Sequence, residues 1–197
     1  MKTKILYSVA LMADSLLIGT QVKAQYKLST AKENVVKVSG GSNVHDWKMA
    51  AQNPSCDAAF GPLSGEENVP KSLSSLNFSV NTKSLKSEHS SMDGRTYKTL
   101  KADDFPKITF KLTTANITPV KQHKFTVKAT GVLTIAGTAK SITMLVNGEV
   151  KDDGSIVCIG QQKLKLTDFN IQPPSFMLGA MKVDNDLTID FNLNFKN

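Results

Sequence analysis

The segment from Phe125 to Val146, FTVKATGVLTIAGTAKSITMLV, constrains the fold more than any other part of this chain. In its first arm, apolar and small residues alternate with threonines and a lysine, with Val132 the one exception among the alternate positions. A glycine turn then leads into a second arm. Strict alternation places one set of side chains on an apolar face and the other set in water. A sheet with one wet face is antiparallel, and its dry face must close against something.

The same alternation recurs along most of the chain. It predicts strands near residues 26–28, 35–39, 45–51, 76–80, 108–112 and 187–195. Only residues 87–102 clearly break this alternation, and the spacing of Met92, Thr96 and Leu100 four apart predicts a short helix capped by Ser87 or Ser90. We therefore predict an all-β chain of about eight to ten short strands and one helix. Such a set suits a two-sheet sandwich or a closed barrel, and an eight-stranded barrel can hold one small ligand.

The N-terminus has the three regions of a secretory signal, with a basic start, a mostly apolar stretch and a cleavage-site pattern at Val22-Lys23-Ala24. We predict that residues 1–24 are a signal peptide cleaved after Ala24. Residues 25–197 then form one domain that is periplasmic or secreted. A membrane anchor is the alternative, but the apolar stretch is shorter than the ~20 residues that a span needs and contains Asp14.

The positive charge of the chain does not indicate nucleic-acid binding. The net charge is +7, and it is +5 without residues 1–24, which hold three lysines and one aspartate. The lysines are spread over outward positions instead of being gathered with aromatic residues, so we expect no nucleic-acid partner. A transient contact with an anionic membrane surface is left open, as is pairing into a homodimer.

The two cysteines, Cys56 and Cys158, allow two interpretations. An exported protein meets an oxidising compartment, where such a pair can form a disulfide. Cys158 also shares its alternation with inward apolar residues, which is typical of a buried free thiol. The sequence does not decide between the two.

No catalytic or metal-binding motif is recognisable. The histidines at positions 45, 89 and 123 are far apart in sequence, and no cysteine or carboxylate cluster accompanies them. The Gly-x-Ser-x-Gly elbow of many hydrolases is missing, as is a glycine-rich phosphate loop. We therefore predict no metal, no cofactor and no enzymatic activity.

The tripeptide His45-Asp46-Trp47 contains the only tryptophan of the chain. In one interpretation Trp47 is a core ring while Asp46 or His45 satisfies neighbouring backbone groups. In the other, the tripeptide is a polar anchor at a cavity mouth, and the ring packs against a ligand. Gly131, at an inward position, either bends its strand or leaves room for a ligand.

Several segments follow one another in a recognisable order: GSNVHDW at 41–47, YKTLK at 97–101, FPKITF at 105–110, GVLTIAGTAK at 131–140 and PPSFMLG at 173–179. Together they resemble the YceI-like family of periplasmic lipid-binding proteins. The match covers nearly the whole chain after residue 24. The Leu-Thr-Ile-x-Gly turn and the Pro-x-Ile-x-Phe strand are its most specific parts.

This resemblance implies a lipocalin-like antiparallel eight-stranded β-barrel with one short helix. Its tunnel would hold a long isoprenoid, such as a polyprenyl or quinone-type lipid, without catalysis. The helix and the loop around residue 176 would close or line the barrel. The implied ligand-binding residues are His45, Trp47, Phe78, Met92, Tyr97, Leu100, Phe110, Phe125, Gly131, Leu133, Met144, Phe176, Met177 and Phe191.

Two other functions compete with lipid binding. One is an enzyme that acts on a lipid-like substrate, with His45 and Asp46 as acid or base. The other is an exported stress-response or interaction module with a plain packed core, whose basic outer face, including Lys124 and Lys128, binds a partner.

Overall fold

A computed structural model describes residues 24–29, 33–63 and 65–197, which consist mainly of β-strands. The strands are β1 (Ala24–Leu28), β2 (Val35–Ser42), β3 (Trp47–Ala51), β4 (Ser55–Phe60), β5 (Leu73–Asn81), β6 (Leu85–Lys86), β7 (Lys107–Lys121), β8 (Lys124–Ile135), β9 (Thr138–Val150), β10 (Ile156–Lys165), β11 (Ser175–Phe176) and β12 (Met181–Lys196). The α-helix of this part of the chain is α1 (Ser90–Thr99). The expected signal peptide lies outside the described residues except for Ala24, where β1 begins.

The strands close into a barrel in which every neighbouring pair is antiparallel. The pairing runs β1-β4-β5-β7-β8-β9-β10-β12, and β12 then pairs with β1 to complete a ring of eight. The closed barrel is therefore confirmed, and the two-sheet sandwich is not formed. Closure leaves no free edge in this ring, because each strand has a neighbour on both sides.

Three of the eight positions each contain two consecutive strands. β1 and β2 share the position next to β12. β3 and β4 share the next position, and β5 and β6 share the one after that. Polar turns interrupt these positions. One of them lies between β3 and β4, where the backbone of Asn53 is left-handed (φ 50°). This is why the described residues contain more strands than the eight to ten predicted.

The β8–β9 hairpin has the structure that its sequence predicts. Twelve residues of β8, from Lys124 to Ile135, pair with β9 without a bulge. The burial pattern of β8 alternates strictly, with Phe125, Val127 and Ala129 buried and Lys128 exposed. Ala136 and Gly137 form the turn with φ values of 47° and 77°, as the twist of a tight hairpin requires.

A cluster of aromatic side chains and the loop of residues 61–72 close one end of the barrel, here called the far end. The Phe60 ring packs edge-on against Tyr26 and Phe195, with ring centroids 5.4 and 5.8 Å apart. Val69 and Pro70 of this loop are fully buried. These groups fill the far end of the barrel with apolar side chains.

The opposite end, here called the helix end, is formed by α1, the β8–β9 turn and residues 166–181. The predicted helix is present, but neither serine caps it, because the N-cap is His89 and its side chain makes no capping hydrogen bond. Instead, the Ser87 N–H and hydroxyl donate to Asp93 Oδ1 at 2.7 and 2.8 Å. The Tyr97 hydroxyl donates to the carbonyl of Leu85 at 2.9 Å. Two turns of α1 are thereby fixed to β6.

We expect Asp93→Asn to weaken the fold in a pH-dependent way. Burial raises the pKa of Asp93, but the hydrogen bonds from Ser87 and the charge of Lys86 outweigh this effect and lower the pKa below its ordinary 3.8. A lowered pKa stabilises the folded state above pH ~4, and this contribution is lost as the pH falls through the folded-state pKa. Urea unfolding should show a loss of about 1.5–3 kcal/mol at pH 7 that shrinks at pH 3.

The exposed pair formed by Lys83 and Asp103, 2.6 Å apart, provides the matched control. Because exposed ion pairs stabilise little, Asp103→Asn should change the free energy of unfolding by less than about 1 kcal/mol. An Asp93→Asn effect that is equally large at pH 3 would contradict the role of the carboxylate charge.

Both cysteines are free and buried in the structure. Burial raises the pKa of Cys158 to about 12. It also raises the pKa of Cys56, and the nearby Cys158 and Asp57 add to that shift. Since the thiolate is the reactive form, both thiols should resist a disulfide reagent at pH 8 in the folded protein. We expect both to react in guanidinium without reductant, whereas a disulfide would leave neither reactive.

Candidate functional site

The barrel encloses a first space, here called the inner cavity, which lies towards the far end. Its volume is about 130 Å³, and Gln162 is the one residue with a polar side chain in its wall. The amide nitrogen of Gln162 donates to the Lys163 carbonyl at 2.9 Å. The wall is made of Val36, Phe60, Leu73, Leu76, Phe78, Phe110, Leu112, Val127, Ala129, Leu133, Ile142, Met144, Val146, Cys158, Gln162, Ile189, Phe191, Leu193 and Phe195. Such an apolar wall offers water almost no hydrogen-bond partners.

A second space, here called the outer cavity, lies at the helix end. Its volume is about 250 Å³, and polar side chains contribute to its wall. The wall is made of Val38, Ser42, His45, Trp47, Met49, Leu85, His89, Ser91, Met92, Arg95, Thr96, Thr99, Leu100, Leu166, Pro174, Phe176, Met181, Val183 and Leu187.

The two cavities follow one another along the same strands. On β2, Val36 lines the inner cavity and Val38 lines the outer one. On β12, Ile189 lines the inner cavity and Leu187 lines the outer one. Side chains two residues apart on a strand point to the same face, so the cavities form one line along the barrel interior. Together they reach the lower part of the ~300–1,000 Å³ that ligand pockets occupy.

Ten of the fourteen residues proposed from the sequence line these cavities. Phe78, Phe110, Leu133, Met144 and Phe191 line the inner cavity. His45, Trp47, Met92, Leu100 and Phe176 line the outer cavity. The five residues of the inner cavity are those that stand at inward positions of the alternating strands.

The structure places the other four elsewhere. Tyr97 bonds to the Leu85 carbonyl and lies beneath the Lys86 ammonium, 5.3 Å from the ring centroid. Phe125 is fully buried in the core, against Gly148. Met177 is 74% exposed outside the cavity.

The interpretation in which Gly131 leaves room for a ligand is wrong. The Phe110 ring and the Lys111 carbonyl already occupy the space where a Gly131 side chain would lie. Glycine at this position allows an aromatic ring to pack closely against β8.

The segment GSNVHDW forms a turn that ties β2 and β3 to the start of β12. The Ser42 hydroxyl accepts from the His45 N–H and donates to the His45 carbonyl, at 3.1 and 2.7 Å. Asn43 accepts from the Lys182 N–H at 2.7 Å through Oδ1. Ser42 and Asn43, and not His45 or Asp46, therefore satisfy the backbone groups here.

Trp47 is a half-buried wall residue of the outer cavity. Its indole N–H donates to the Gly41 carbonyl at 3.0 Å, and its ring lies against Gly40, where a Cβ atom would come within 2.5 Å of it. The ring is thus held in one orientation while one part of it faces the cavity. The interpretation as a cavity-mouth residue fits this position better than that of a core ring.

His89 and Arg95, both at the outer cavity, were missed in the sequence analysis. Arg95 lies on α1, with its guanidinium 4.7 Å from the centroid of the Phe176 ring. Helical periodicity does not reveal it, because its side chain is exposed. Composition alone could have drawn attention to it, since it is the one arginine in the chain.

The described residues lack a metal-ligand cluster and a hydrogen-bonded histidine–carboxylate pair at His45. In residues 24–29, 33–63 and 65–197, no group of three His, Cys, Asp or Glu side chains could hold a metal ion. Within the same ranges, no hydrogen bond joins the His45 ring to a carboxylate. No helix in the described part of the chain is long and apolar enough to cross a membrane.

A closed antiparallel eight-stranded barrel with an apolar internal cavity belongs to the lipocalin-like class of folds. A family model for the YceI-like domain matches residues 26–195, and the chain belongs to that family. Among curated proteins, no relative matches.

Solved structures with this fold come from several bacteria. BcnA from Burkholderia cenocepacia is 18% identical, with 84% of this chain and 98% of that chain covered and a TM-score of 0.66. A polyisoprenoid binding domain from Saccharophagus degradans is 10% identical over 87% and 97% of the two chains, with a TM-score of 0.66. The YceI protein of Campylobacter jejuni is 18% identical over 98% and 99%, with a TM-score of 0.57.

Proposed function

We propose that this protein binds a long-chain isoprenoid or a similar amphiphilic lipid, and stores or carries it in the periplasm without catalysis. The observation that carries the proposal is the inner cavity, whose wall has one polar side chain and continues into the outer cavity. An apolar chain that enters this space gains about 2.5 kcal/mol for each ~100 Å² removed from water. The polyisoprenoid-binding neighbour from Saccharophagus degradans supports the same ligand class.

The periplasmic location rests on the N-terminal sequence. The basic start, the apolar stretch and the small residue at position 24 fit an export signal that is removed after translocation. A soluble carrier is useful in this compartment, because a free isoprenoid does not cross water.

Extraction of the native protein tests the proposal. The full chain is purified without detergent, extracted with organic solvent and analysed by mass spectrometry. We expect one lipid class in near-stoichiometric amount. The result that would overturn the proposal is a protein with no co-purifying lipid that also fails to bind geranylgeraniol after delipidation.

We also propose that the tip of residues 177–178 contacts the membrane during lipid exchange. Met177 and Leu178 are 74% and 110% exposed and follow Phe176 in the outer cavity wall. Their φ values of 53° and 55° are uncommon for such residues, and strained backbone tends to occur at functional sites. An apolar tip beside the cavity would let a lipid pass without crossing water.

Leu178→Asp should slow lipid transfer from vesicles of phosphatidylcholine and phosphatidylglycerol about tenfold, because burial of a leucine in the interface contributes ~1.5–3 kcal/mol. Affinity for soluble geranylgeraniol should not change. Leu145→Asp is the matched control, since Leu145 is 63% exposed but lies on the barrel side. Equal slowing by both variants would contradict a specific role for the tip.

A further inference from the structure

The outer cavity differs from the inner one in charge as well as in polarity. Its wall includes Arg95, His45 and His89, whereas no aspartate or glutamate contributes to it. Two of the three histidines of the chain and its one arginine therefore border the same space. An apolar tail in the inner cavity would place the polar end of an amphiphile among these groups.

Arg95 stands apart from the other basic residues of the chain. Seven ion pairs occur among the described residues, and a lysine supplies the cation in each of them. Arg95 makes none within 4.0 Å. The nearest carboxylates in sequence have other partners, since Asp93 contacts Lys86 and Glu88 contacts Lys48. The guanidinium thus keeps its charge beside the cavity without an acidic partner in the described structure.

The aromatic ring below Arg95 holds the guanidinium at the cavity. The guanidinium carbon lies 4.7 Å from the centroid of the Phe176 ring, and Phe176 itself lines the cavity. A guanidinium above a ring retains its in-plane N–H donors for another acceptor. Those donors form the fork that binds the two oxygens of a carboxylate or phosphate.

We propose that the outer cavity binds the head group of the lipid and that this head group is an oxyanion, a carboxylate or a phosphate held by Arg95 with His45 and His89 beside it. The inference rests on the proposed function, because it assigns the polar end of the same ligand. It adds that a lipid with a neutral head group binds more weakly than the same lipid with an oxyanion head group.

Three ligands that share one tail test the inference: geranylgeraniol, geranylgeranoic acid and geranylgeranyl monophosphate. Binding to the delipidated full-length protein is followed by the fluorescence of Trp47, the only tryptophan, which lines the outer cavity. We expect the acid or the phosphate to bind about tenfold more tightly than the alcohol. Comparison of the acid with the phosphate identifies which oxyanion the cavity prefers.

Variants assign that preference to one side chain. Arg95→Gln should remove it by weakening the two anionic ligands much more than geranylgeraniol, and Arg95→Lys should keep only part of it, since an ammonium lacks the fork. Lys98→Gln removes a charge from the same helix but not from the cavity wall, and it should change nothing. The preference in the wild type should weaken at high salt.

The outcomes separate this inference from the proposed function. Equal binding of all three ligands would overturn the oxyanion head group while lipid binding stands. Equal weakening of the alcohol and the anions by Arg95→Gln would do the same, as would a loss of preference in Lys98→Gln. Failure of every ligand to bind would overturn both.

Discussion

Ala129→Phe is expected to abolish lipid binding and to leave the barrel folded. Ala129 is a buried inward residue of β8 that lines the inner cavity, so a phenyl ring there would fill the space that a lipid tail needs. The inner cavity, of about 130 Å³, gives the added ring space, so the strain that a larger core residue introduces should stay within about 1–3 kcal/mol.

The measurement combines lipid extraction with thermal unfolding in the presence and absence of geranylgeraniol. Added lipid should raise the unfolding temperature of the wild type, because a ligand stabilises the state that binds it. The same addition should have no effect on Ala129→Phe. Lys128→Phe, at the adjacent outward position of β8, is the control and should retain its lipid. Lipid retained by Ala129→Phe would contradict a tail site in the inner cavity.

Gly131→Phe is expected to destabilise the fold instead of displacing the ligand selectively. A Cβ atom at Gly131 would lie 2.5 Å from the Lys111 carbonyl oxygen and even closer to the Phe110 ring. That carbonyl belongs to the backbone of the neighbouring strand, so the contact is not relieved by a side-chain rotation. Gly131→Ala should therefore already cost about 1–3 kcal/mol, and Gly131→Phe should cost more.

Urea unfolding of three variants tests this expectation. Gly94 has open space around its Cβ position and lies in α1, so Gly94→Ala should be neutral or stabilise the protein by up to ~1 kcal/mol. Gly131→Ala should show the opposite sign. A Gly131→Phe protein with unchanged stability and no lipid would instead support a ligand-lining role for Gly131.

Most of the strands could be predicted, because the period-two pattern is local. Phe125, Val127, Ala129 and Leu133 identify the dry face of β8 without any knowledge of its neighbours. Helix α1 followed from side chains four apart. Its attachment through Asp93 did not, because that contact depends on where the preceding Ser87 lies.

The candidate site was predictable only in part. Inward residues were identified correctly as inward, yet Phe125 and Gly131 pack within the core while Ala129 borders the inner cavity. Alternation predicts which face of a strand a side chain lies on. It does not predict how far that side chain is from the opposite wall of the barrel. The sequence did not predict Arg95 and His89 as site residues, because exposed polar residues show no hydrophobic periodicity.

The sequence by itself determined that this chain is an antiparallel β protein with an apolar interior. Alternating side chains place one face of each strand in water and the other face against that interior. Its ordered motifs also identified the YceI-like family. Only the tertiary structure decided that Phe60, Phe195 and the 61–72 loop close the far end and that Trp47 and Arg95 border the outer cavity. Those outcomes depend on contacts between residues far apart in the sequence, such as Phe60 with Phe195 and Arg95 with Phe176, which no local pattern encodes.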